Sequence, residues 1–120
     1  MKKTSAALLL SLFFTFSAST KAQTTTYPNQ TIKVLVGFAA GGPADVIGRI
    51  VTQHMSGTLG QSMVVENRTG ANSLIATKEV AKANPDGYTL LFASLSHNVN
   101  RVLLKEKAEY DPLENFTPIS

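Results

Sequence analysis

The 120-residue sequence carries 11 Lys and Arg against 8 Asp and Glu, 43% apolar residues, and neither Cys nor Trp. Without cysteine there is no disulfide scaffold, thiolate zinc finger, haem-c attachment or cysteine nucleophile, and the apolar content is that of a folding chain rather than a disordered one. The formal charge of +3 is concentrated at one end: Lys2, Lys3 and Lys21 precede residue 22, and the eight cations beyond it balance eight anions. Those eight are scattered singly, so no clustered basic face for a nucleic-acid partner is expected.

The chain opens with Met1-Lys2-Lys3, continues with residues 6–16, apolar except for Ser11 and Thr15, and then reads Ser17-Ala18-Ser19-Thr20-Lys21-Ala22. A basic start, a short apolar run and small residues make a secretory signal peptide over residues 1–22. The run is about half of the roughly 20 apolar residues that a spanning helix needs. Thr20 and Ala22 suit the small-residue positions of a cleavage site after Ala22, and no Cys follows to receive a lipid.

After a polar lead, residues 32–38 form a β-branched-rich run ending in Gly37-Phe38, which predicts a buried strand. Ala39-Ala40-Gly41-Gly42 makes a turn, and Ile47, Ile50, Val51, Met55 and Leu59 then recur at the spacing of an amphipathic helix. Pro43 suits the first helical position, Asp45 supplies a first-turn carboxylate, and Gly60 stops the far end. The pattern repeats: a short strand over residues 63–66, a polar turn, and a helix capped by Asn72 or Ser73 in which Ala76, Val80 and Ala83 recur. Asn84-Pro85-Asp86-Gly87 has the residues of a type I turn. A third strand covers residues 88–93, residues 94–98 form a polar loop, and a short helix spans residues 99–105. Strand and helix alternate three times, which predicts an α/β fold: a parallel sheet with crossover helices. Three such units are about half of a doubly wound domain, and the tail, residues 110–120, ends where a further strand would begin.

In such a sheet the three strand-to-helix loops lie at the carboxyl ends of the strands, where ligands bind. The candidate ligand-binding residues come from these loops: Phe38, Ala40, Gly41, Gly42 and Asp45 from the first, Gly70, Ala71, Asn72 and Ser73 from the second, and Ser94, Ser96 and His97 from the third. Adjacent glycines before a helix N-terminus let backbone amides approach an anion, which suits a carboxylate or phosphate. The first loop has neither the Lys-Ser/Thr pair of a Walker loop nor the three-glycine dinucleotide spacing. Against the binding role, Gly41 and Gly42 serve equally well as a tight turn with Asp45 as a helix cap. Arg68 could clamp a carboxylate, but pairing with Glu66 is the plainer expectation. Ser96 beside His97 is not a triad, and no Gly-x-Ser-x-Gly elbow accompanies it. His54 has no second His or Cys nearby for a metal, and no cofactor is expected.

The ordered strings Tyr27-Pro28, Ile32-Lys33-Val34-Leu35-Val36, Phe38-Ala39-Ala40-Gly41-Gly42-Pro43-Ala44-Asp45, Leu59-Gly60-Gln61, Val64-Val65-Glu66-Asn67-Arg68, Gly70-Ala71 and Pro85-Asp86-Gly87-Tyr88-Thr89-Leu90-Leu91 resemble the Bug family. These are the TctC-like extracytoplasmic solute receptors of tripartite tricarboxylate transporters. The likeness runs on through Tyr110-Asp111-Pro112 and Phe116-Thr117-Pro118. It implies a periplasmic binding protein of two α/β domains that closes on a small, usually carboxylated, solute and serves membrane transporter subunits. On that likeness residues 23–120 are the N-terminal part of the first domain, in a receptor that is a monomer when full length. The loops at Gly41-Gly42 and Gly70-Ala71 would then grip one carboxylate through amides, hydroxyls and waters. Where the family commonly shows Arg-Pro-Gly-Ala-Gly-Gly, this chain has Arg68-Thr69-Gly70-Ala71-Asn72-Ser73, and Arg101 stands where a proline is usual. Two other readings remain: an exported α/β hydrolase using Ser96 and His97, and a truncated product without function.

Overall fold

The computed structural model describes residues 26–120; the expected signal peptide and its cleavage site lie outside them. Three parallel strands, β1 (Ile32–Val36), β2 (Met63–Asn67) and β3 (Thr89–Phe92), form one sheet in the order β2-β1-β3. Ile32 lies opposite Met63 and Val36 opposite Asn67 on one side, and Val36 lies opposite Phe92 on the other. The α/β fold with crossover helices expected from the alternation is the one observed. Helices α1 (Pro43–Leu59), α2 (Leu74–Ala81) and α3 (Ser96–Leu104) follow the three strands in turn, and a 3-10 turn covers Lys105–Ala108.

β1 is central because its β-branched run can be buried on both faces. Ile32, Val34, Leu35 and Val36 are all buried, as are Ala76 of α2 and Ala108 and Tyr110 of the tail. The chain steps from β1 to β2 on one side, then returns across β1 to β3 on the other. With right-handed crossovers this reversal puts α1 and α2 on opposite faces of the sheet. Side-chain direction agrees, because Val36 reaches toward Gly48 of α1 whereas the next residue, Gly37, lies against Ser73 at the start of α2.

Three expectations are corrected. The apolar stripe of α1 does not face the sheet: Asp45, Gly48 and Thr52 are buried, while Ile47 is 53% and Ile50 is 63% exposed. The close approach selects small residues, since a Cβ on Gly48 would already stand 3.4 Å from Val36 and 3.6 Å from Phe92. α2 stops at Ala81 instead of continuing through Ala83, because the residue before Pro85 is driven away from helical backbone. α3 starts at Ser96, three residues before the expected Val99, with the Leu95 carbonyl accepting from both Asn98 and Val99. Gly60 ends α1 as expected, in the left-handed region at φ 67°, its amide bonded to the Ser56 carbonyl.

Candidate functional site

The loops after β1, β2 and β3 gather at one end of the sheet. An order of β2-β1-β3 places the topological switch point between β1 and β3, and the crevice outside their carboxyl ends is where an open α/β sheet receives a ligand. The hollow lined by Ile50, Gln53, His54, Gly57 and Thr58 lies along the outer face of α1, away from this crevice.

In the first loop, Ala39, Ala40 and Gly41 are exposed at the tip and Phe38 is half-buried at its base. The two glycine amides are committed inside the loop: Gly41 N–H donates to Asp45 Oδ2 at 2.8 Å, and Gly42 N–H donates to the Ala39 carbonyl at 3.2 Å. Gly41 is required by its φ of 79°. Gly42 has φ −75° and is the N-cap of α1. The glycines thus build the turn, and Ala39 and Ala40 form its outward surface.

Asp45, read from the sequence as a cap of α1, clasps the turn ahead of the helix instead, through the Gly41 amide that precedes the N-cap Gly42. Its side chain is buried beneath the loop and accepts from Arg49 Nε at 3.0 Å, from Gly41, and from Asn67 Nδ2 at 2.8 Å. These donors, the Arg49 guanidinium first among them, hold its carboxyl far below the usual carboxylate range.

In the second loop, Gly70 has φ 134°, and Ala71, Asn72 and Ser73 follow at 46°, 54° and 70°. Three successive non-glycine residues in the left-handed region cost roughly 1–2 kcal/mol each, with Asn72 the best suited. A turn of one hand presents successive amides in one direction, a donor set that suits a carboxylate. Ser73 is the N-cap residue of α2 without a side-chain cap bond; instead its carbonyl accepts from both the amide and the hydroxyl of Thr77. Asn100 of α3 donates to the Asn72 carbonyl at 2.9 Å, tying the second loop to the third unit. Arg68 follows its plainer expectation, bonded to Glu66 at 2.9 Å and near Glu79 at 3.3 Å.

In the third loop Ser94 and Ser96 share a 2.7 Å hydroxyl hydrogen bond. The His97 ring is directed to the tail, stacked on Tyr110 at 5.4 Å and edge-on to Phe116 at 4.7 Å, with the Tyr110 hydroxyl donating to the His97 carbonyl. The sequence places Ser96 and His97 side by side, whereas the fold turns one to the strand end and the other to the aromatic tail. Asn67, Arg49, Asn100 and Gly37 are the residues that sequence reasoning missed. Apart from the Arg49–Asp45 pair one helical turn apart, their roles rest on partners 18–36 positions away, which no local pattern signals.

Burial lowers the pKa of His97, whose Nδ1 is buried without a partner. Because the folded state favours neutral His97, the stability tied to it is complete above the unfolded pKa of about 6.5 and is lost as pH falls below that value. Urea unfolding of the full-length protein at pH 7.5 and 5.0 is expected to show this loss, and His97→Phe is expected to abolish it. The carboxyls of Asp45, Glu109 and Asp111 are shifted down, so they add acid sensitivity only below about pH 4.

Three strand-to-helix loops thus meet at the carboxyl end of a parallel α/β sheet, and among the described residues no group of three or more metal-ligating side chains is present. A model described as the tripartite tricarboxylate transporter family receptor, TctC, matches residues 47–120, and the chain belongs to that family. Over 96 residues it is 41% identical to BugT of Bordetella pertussis, a span covering 79% of this chain and 29% of that protein. A solved periplasmic transporter overlays with a TM-score of 0.76 at 48% identity, covering 78% of this chain and 32% of the other. MatC from Rhodopseudomonas palustris with bound malate overlays at 0.68 and 40% identity, again over 78% and 32%. The chain spans less than a third of the length of the curated relatives it matches.

Proposed function

We propose that residues 1–22 export the protein to the periplasm, with cleavage after Ala22, and that residues 23–120 form the N-terminal part of the first domain of a two-domain receptor. The receptor binds a small carboxylate, presents it to membrane transporter subunits, and does not transform it. The observation that carries this reading is the left-handed run from Gly70 to Ser73, which meets the end of β1 where Gly37 lies against Ser73, at the same end of the sheet as the exposed loop residues Ala39 and Ala40. Together they offer an anion two backbone surfaces at one strand end. The malate bound to MatC, which is 40% identical over the 78% of this chain that it covers, supports a carboxylate as the ligand. A hydrolase would need the His97 imidazole on the Ser96 hydroxyl, but Ser96 is bonded to Ser94 and the His97 ring is packed on Tyr110 and Phe116.

A thermal-shift screen of the full-length receptor against dicarboxylates including malate, with neutral sugars and amines as controls, tests the reading. An acid at a hundredfold excess over its dissociation constant should add about 2.7 kcal/mol, a visible rise in melting temperature. A rise with sugars or amines alone would sink the carboxylate assignment.

A further inference from the structure

We infer that Asn67, the last residue of β2, is the positioning residue that sets the β1–α1 loop for its ligand; the inference rests on the receptor reading. Its amide occupies the junction of three elements. Nδ2 donates to the Phe38 carbonyl at 3.0 Å and to Asp45 Oδ1 at 2.8 Å, while Oδ1 accepts from Arg49 Nη2 at 3.0 Å. Three bonds use both ends of one side chain, so it grips the base of the loop through Phe38 and the loop's own clasp through Asp45. Asp45 in turn holds Gly41 N–H at 2.8 Å. A continuous chain of hydrogen bonds therefore runs from the end of β2 to the tip of the loop.

Only an amide fits this position. Aspartate would keep the Arg49 bond but put a carboxylate oxygen in place of Nδ2, facing Asp45 Oδ1 and the Phe38 carbonyl, which are acceptors as well. Alanine would release Phe38 and leave Asp45 to Arg49 and Gly41. The buried Asp45 charge also opposes an anion at the tip, and the guanidinium that offsets it is oriented by Asn67 Oδ1. Asn67 thus acts on the ligand through Asp45, Arg49 and Phe38.

The test is hydrogen exchange of the full-length receptor, native and Asn67→Ala, followed by calorimetric titration with malate. Amides of residues 38–42 are expected to exchange at least tenfold faster in the variant, with those of β1 and the interior of α1 unchanged. Unaltered loop exchange, or a rise shared uniformly by β1 and α1, overturns the assignment whether or not malate binds. Malate affinity should fall at least tenfold in Asn67→Ala. It should also fall in Asn67→Asp, partly recovering between pH 7.5 and 5.5 as the introduced carboxyl takes up a proton and becomes a donor; a pH-independent loss in Asn67→Asp counts against the assignment. A native receptor that binds no dicarboxylate refutes the proposed function while the exchange result still decides the role of Asn67.

Discussion

Gly37→Ala in the full-length receptor is expected to lower stability by about 3 kcal/mol and to weaken ligand binding at least tenfold. A Cβ at residue 37 would stand 1.8 Å from Ser73 Oγ, 2.3 Å from its Cβ and 2.7 Å from its Cα. Rotating the serine away removes only the first contact, so backbone must move. The cost therefore falls at the top of the 1–3 kcal/mol range for overpacking a filled site. The residue that must yield belongs to the left-handed run of the second loop, so the displacement passes directly into the proposed site. Adding Ser73→Gly removes two of the three clashes and suits the φ of 70° at that position. The double variant is expected to recover part of both losses, giving a favourable coupling energy for residues in contact. Chemical unfolding and calorimetric titration of the four proteins in the cycle check this. Additive losses would mean that Gly37 acts by some route other than its contact with Ser73.

The same contact shows which parts of the molecule could be read from the sequence. β1 was legible because a continuous β-branched run has few alternatives to a strand buried on both faces, and α1 because Pro43 and Gly60 punctuate it. The direction in which α1 faces was not. Its apolar periodicity points to Ile47, Ile50 and Val51, whereas the sheet, already filled by Val36 and Phe92, accepts only Gly48 and Thr52. α3 hid its first turn because Ser96, His97 and Asn98 are poor helix formers; the turn is held by Tyr110 on the His97 carbonyl and by Asn100 on Asn72.

At the site, two adjacent glycines signalled a special backbone but not its use. The sequence favoured neither the turn nor the anion contact, and the bonds of Gly41 and Gly42 within the loop show the turn. The second loop carried a different signal. Asn72 and Ser73 stand where the resembling family commonly has two glycines, and both adopt positive φ here. Glycine is the residue that such backbone favours, so the departure noted in the sequence marks a strained position. Asn67 gave no signal, because an asparagine ending a strand is an ordinary turn residue until its partners at Phe38, Asp45 and Arg49 are known.

Residues 23–120 prepared by themselves are expected to associate, to unfold at low denaturant and to bind no dicarboxylate measurably. The expectation follows from surface chemistry. Along α1, Ile47, Ile50 and Val51 are 53%, 63% and 40% exposed, and Val102 and Leu103 of α3 exceed 70%. Removing such a stripe from water is worth about 25 cal/mol per Å², and a second molecule is the nearest means of doing so. β2 and β3 each pair on one side only among the described residues, and unpaired strand edges are templates for further pairing. Binding is lost for a separate reason. The three loops supply one wall of the crevice, and affinity for a small carboxylate depends on enclosing it so that its charge meets fixed donors instead of water. Sedimentation velocity, urea unfolding and calorimetric titration with malate measure the three parts. A monomer that unfolds cooperatively and binds malate at micromolar concentration would show that one wall suffices, and the two-domain reading of this chain would have to be abandoned.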